Sequence, residues 1–207
     1  MAVNATIKIR YNYTSKHLDA ASFFLTELRE MEKDANEYTL TPARFEYYWR
    51  SAIISIGCAL ESYIYDLLNG FVEGAYNDEN ATQKEELAKL LERRPMFEKY
   101  DFLYLHKTGR RINKGTTEYR DAQLTIKLRN EIVHFKTHWF HEPTTSEKLE
   151  SNLRSKFETN QFKCVESLFF PDLCTSASCV EWALKSVENF IYWYSKSVGG
   201  PCPIKRI

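Results

Sequence analysis

Residues Arg129-Asn130-Glu131-Ile132-Val133-His134 set an arginine and a histidine five positions apart, with a polar side chain directly after the arginine. Together these groups can cleave a phosphodiester without a metal. A guanidinium grips phosphate oxygens through two parallel hydrogen bonds. An imidazole moves a proton near neutral pH. Many helices hold an arginine and a histidine, so the elements that carry the pair decide what it can do.

Helical periodicity dominates the chain. Ser15–Ala35 is amphipathic and charge-rich. Thr41 and Pro42 read as an N-cap and a first helical position. The run that follows carries Ile53, Ile56, Leu60, Ile64, Leu67 and Phe71 at spacings of three and four, one core-facing stripe ending near Gly70 or Gly74. Thr82-x-x-Glu85 reads as a capping box opening a helix to Arg93, stopped by Pro95. Met96–Leu105 is helical or irregular, and His106–Thr117 reads as a loop. A helix is expected over Glu118–Lys136, a turn over Thr137–Thr145 and a short helix over Ser146–Phe157. Ser178-x-x-Glu181 opens the last helix, which Gly199-Gly200-Pro201 ends. No alternating pattern is long enough for a sheet. The expectation is an all-α single helical bundle of about five to seven helices, spanning 1–207 with its core over 15–198 and short tails at 1–14 and 199–207.

On a wheel of about 100° per residue, Leu124, Leu128, Ile132 and Phe135 form the core face of the Glu118–Lys136 helix. Arg129, Asn130 and His134 then fall on the other side. Asn130 and His134 are neighbours four apart, whereas Arg129 stands roughly 140° from His134. A second apolar strip, Ala122, Ile126 and Val133, runs beside Arg129. It requires a covering surface, either another helix of the same chain or the same helix of a second copy.

The run Leu124–Lys136 (LTIKLRNEIVHFK) resembles the signature of the HEPN superfamily: an arginine, a polar residue, then a few residues to a histidine, late in a helix. Ala59-Leu60-Glu61-Ser62-Tyr63 is similar to the family's N-terminal core helix. The resemblance implies a HEPN-like fold and a metal-independent endoribonuclease acting as a homodimer, of the kind found in toxin and defence systems, with no cofactor. It implies His134 as the base for a ribose 2′-OH, Arg129 as the phosphate clamp, Asn130 as an orienting group, and Arg–His pairs from two chains in one cleft. Glu61 is a candidate to orient Arg129 or His134; an exposed helix glutamate is the other reading. A non-catalytic HEPN-like module binding RNA, a nucleotide or a partner protein is the alternative, and an antitoxin or a nucleotidyltransferase is the partner the family suggests.

Composition bounds these expectations. Formal net charge is zero, so any RNA contact must be a local patch. Lys127 and Lys136, with Arg110 and Arg111 of the basic loop, are the candidates, against the reading of a solvated loop. His134, His138, His141 and Glu142 form a cluster in which His134 and His138 have chelating spacing, but Phe135 stands where a zinc protease needs glutamate; no metal site is expected. The five cysteines include no C-x-x-C pair, which argues for a reduced, cytoplasmic protein. The apolar run at Ala52–Leu60 is too short to span a bilayer, so no membrane contact is expected.

Overall fold

The computed structural model describes residues 13–33, 35–36, 39–75, 81–134, 147–164 and 166–204. Among these residues the protein is all-helical, with seven α-helices, one short π-helical turn and no strand. The helices are α1 (Thr14–Glu32), α2 (Ala43–Ala75), α3 (Ala81–Glu92), α4 (Met96–Thr108), α5 (Thr117–Val133), α6 (Glu147–Leu153) and α7 (Ala177–Val198). The π-helical turn, Phe169–Leu173, precedes α7.

The long helix α2 organises the bundle. Its Ile53, Ile56, Leu60 and Ile64 are fully buried, and Leu67 and Phe71 pack at the edge of the same core. Helices α1, α4, α5 and α7 all pack on α2. Buried tyrosines tie them together: Tyr100 donates to Leu60 O at 2.7 Å, Tyr194 to Tyr100 O at 2.9 Å and Tyr63 to Pro201 O at 3.0 Å. Each hydroxyl sits in the core with its hydrogen bond made, so these rings bury area without stranding a polar atom. Pro201 and Ile204 draw the segment after α7 onto the bundle, where the sequence suggested only a tail.

Several helix ends differ from the sequence expectations, and the caps give the reason. Helix α7 starts two residues early because Ser176, not Ser178, accepts from Cys179 N (3.1 Å). Ser178 Oγ instead accepts from Glu158 N at 3.0 Å and holds the preceding segment. Helix α3 already contains Thr82, so the Thr82 capping box is not its start. Helix α4 runs on to Thr108, where Gly109 adopts the left-handed conformation (φ 72°) and donates to Leu105 O. Gly199 ends α7 in the same way (φ 64°), as its position predicts. Thr137–Thr145 lies outside the described residues.

Helix α2 is also the one described helix long and apolar enough to cross a bilayer, with a mean hydropathy of 1.3 over its most apolar stretch. Half of that stretch is buried: Ile53, Ile56, Leu60 and Ile64 are covered by the other helices, while Ile54 is 37% exposed.

Candidate functional site

Helix α5 carries the Arg–His motif and is fixed at both ends. Thr116 caps its start by accepting from Tyr119 N, and His134 closes its last turn by donating its backbone N–H to Asn130 O at 2.9 Å. The loop before it is held by Asp101 of α4, which accepts from Ile112 N at 3.0 Å and from Arg111 at 2.5 Å. Burial works against the Asp101 charge, but Arg111, the Ile112 amide and Lys114 outweigh it and hold the carboxyl below its ordinary range.

The face that α5 buries is not the one the apolar wheel suggests. Its buried residues are Tyr119, Ala122, Thr125, Ile126 and Leu128, while Leu124 and Ile132 are only partly covered. At about 100° per residue, that arc is centred within roughly 10° of Arg129. Arg129 therefore lies in the middle of the buried face, not opposite it. Two helices cause the difference: α5 packs on both α7 and α2, so it buries a wide arc rather than one stripe.

Arg129 reaches across α2 at Gly57. A Cβ built there would stand 2.9 Å from Arg129 Nε and 3.2 Å from its Cγ, so any larger residue would force the Arg129 side chain to shift. The guanidinium ends in an ion pair and hydrogen bond to Glu61, one turn further along α2. The Arg129 side chain is 17% exposed and that of Glu61 40%, so the pair closes over at the bundle surface. Cys58 lies alongside; burial pushes its thiol up, Glu61 adds to this, and Arg129 opposes it.

One wall of an open cleft of about 580 Å³ is formed by Glu61, Arg129, Asn130, Ile126 and Lys127. The start of α4, from Pro95 to Glu98, and Lys114 from the loop form the other. The structure thus brings Arg129, Asn130, Lys127 and Glu61 together. His134 is exposed at the end of α5 and does not line this cleft. Arg111 is committed to Asp101, and Arg110 is exposed in the loop outside the cleft lining. Lys136, His138, His141 and Glu142 lie outside the described residues. Among the described residues, no group of three or more His, Cys, Asp or Glu is poised to hold a metal.

The interface strip needs correction. Ala122 is fully buried and Ile126 8% exposed within the single chain, so neither is available to a second copy; Val133, at 48%, still is. Sequence reasoning missed Asp101 and the close approach of Arg129 at Gly57. Gly57 carried a signal: a glycine in the middle of a helix's most apolar stretch marks close packing.

No protein-family model, curated protein or solved structure matches the chain.

Proposed function

We propose that the protein is a HEPN-type, metal-independent endoribonuclease whose site is shared between two chains. The observation that carries this reading is the fixed guanidinium. Arg129 is seated on Gly57, tethered by Glu61, and set in the wall of an open cleft beside Asn130, Lys127 and Lys114. A preorganised cation in a partly desolvated wall is what charge building on a phosphate requires. His134 stands exposed at the end of the same helix, where a proton-transfer group must be reachable.

In this mechanism His134 takes the proton of a ribose 2′-OH. The alkoxide attacks the adjacent phosphorus, and the bond from phosphorus to the 5′-oxygen breaks. That oxygen takes up a proton from the imidazolium. Arg129 stabilises the phosphate charge, and Asn130, one turn before His134, orients the imidazole or the phosphate. The products are a 2′,3′-cyclic phosphate and a 5′-hydroxyl, and the need for a 2′-OH confines cleavage to RNA. Because Arg129 and His134 point about 140° apart around α5, one chain's pair does not converge, and the partner's His134 completes the site.

The test is incubation of the purified protein with mixed RNA, with and without a strong chelator. Cleavage in both, lost by at least about a hundredfold in Arg129→Ala and in His134→Ala, is the expected result. Cleavage that needs an added metal, or survives either substitution, overturns the reading. A second reading is a non-catalytic HEPN-like module binding RNA, a nucleotide or a partner protein. It is favoured by the engagement of Arg129 with Glu61 and by the absence of His134 from the cleft lining. RNA binding without cleavage in the same experiment would select it.

A further inference from the structure

The outward face of α2 carries a partly exposed apolar stripe, held at one edge by Lys99: the Tyr65 hydroxyl accepts from Lys99 Nζ at 2.8 Å, and that ammonium stands 4.2 Å from the ring centroid. Tyr47 is 66% exposed, Ile54 37% and Tyr65 42%, with the half-buried Cys58 between them. At about 100° per residue these four side chains leave the helix within roughly 20° of one direction. Their order along the helix is symmetric about the level of Ile56. Tyr47 and Tyr65 lie equally far from it on either side, and so do Ile54 and Cys58.

We infer that α2 pairs antiparallel with α2 of a second copy of this chain, about a two-fold axis level with Ile56. A two-fold contact requires a surface complementary to itself, and an antiparallel helix pair meets that requirement only when its pattern reads the same from both ends. Here Tyr47 meets the partner's Tyr65, and Ile54 meets the partner's Cys58. Charge agrees with the register. Between Arg50 and Glu61 the outward residues of α2 are Ser51, Ile54, Ser55 and Cys58, all uncharged. The same register sets Arg50 within one residue of the partner's Glu61 at both ends of this neutral centre, while within its own chain Arg50 pairs with Glu46 and Glu61 with Arg129. The stripe is about 27 Å long, and a stable interface takes roughly 800 Å² from each partner. Val133 of α5 and Phe23 of α1 are also exposed, on two helices packed against α2.

This pairing gives the shared site its geometry, and its functional meaning rests on the ribonuclease reading. The two-fold axis runs perpendicular to the plane of the two α2 helices, so both Arg129 seats face the same side of the pair. Gly57 is one residue from the centre, about 1.5 Å along the helix. The two guanidiniums are therefore held near the axis, in one groove.

The interface is tested without any activity. Two chains, both Cys164→Ser and Cys202→Ser, are mixed: one also carries Ile54→Cys and Cys58→Ser, the other keeps Ile54 and Cys58. Mild oxidation of the mixture should give a covalent dimer joined through Cys58, with much less from either chain alone. Lys185→Cys on α7 in place of Ile54→Cys should give none. Wild-type protein should have the mass of two chains at micromolar concentration, and Ile54→Glu that of one, with helix content unchanged. No cross-link above the Lys185→Cys control, or a monomeric wild type, overturns the pairing. A cross-linked dimer that fails to cleave RNA leaves the pairing intact and removes the ribonuclease reading alone.

Discussion

Truncating Arg129 and truncating His134 remove different things. His134 is exposed, so His134→Ala should leave thermal stability within about 0.5 kcal/mol of wild type. Arg129 lies at the centre of the buried α5 face and bridges two helices. Arg129→Ala should therefore cost about 1–3 kcal/mol in chemical denaturation, and its activity must be read at a temperature where it remains folded. Equal stabilities for the two variants would refute the seat described for Arg129. Gly57 supplies a sharper check. An alanine in mid-helix ordinarily stabilises by about 1 kcal/mol over glycine. At Gly57 the new methyl would meet Nε at 2.9 Å, and the guanidinium must shift from Glu61. Gly57→Ala should be neutral to destabilising in the wild type, yet stabilising by about 1 kcal/mol when Arg129 is already alanine. The same sign in both backgrounds would rule out the contact.

Single elements show what the sequence made legible. The α2 stripe was readable because Ile53, Ile56, Leu60 and Ile64 recur at helical spacing and face one dense core. The α5 face was not, because a helix wedged between α2 and α7 buries an arc that includes Arg129 and Thr125, and a hydrophobicity wheel scores neither as core. The pairing of Arg129 with Glu61 spans 68 positions, a separation that no local pattern encodes. Ser176 and Ser178 both fit a cap by type, and both meet the Glu158 backbone, so which of them accepts from Cys179 N is set by the folded chain and not by residue type. Asp101 is a further case, since its role arises from the loop that folds back onto α4. Its carboxyl lies below the ordinary range in the folded protein, so the unfolded chain binds the proton more readily. The stability it adds is complete above the unfolded value of about 3.9 and is lost as pH falls through the folded value. Asp101→Asn should thus cost about 1 kcal/mol at neutral pH. The gap in melting temperature should narrow as the pH is lowered below about 3.9. A gap independent of pH would assign Asp101 a packing role instead of an electrostatic one.

At the scale of the molecule, the separation of Arg129 from His134 around α5 becomes a statement about assembly. In a monomer the motif offers a clamp in one cleft and a base on a different face. In the proposed two-fold pair each site takes Arg129 from one chain and His134 from the other. Chains carrying Arg129→Ala and chains carrying His134→Ala are each expected to be inactive. Their heterodimer holds one intact site, formed by Arg129 of the His134→Ala chain and His134 of the Arg129→Ala chain, and one site lacking both groups. Random exchange makes about half of the dimers mixed, and each mixed dimer keeps one site of two, so the mixture should recover about a quarter of wild-type cleavage. Adding Ile54→Glu to both chains should abolish that recovery, because the Glu side chains stand at the uncharged centre of the α2 pair. A site complete within one chain predicts no recovery at any mixing ratio. Complementation that survives Ile54→Glu would require a shared site on a different interface.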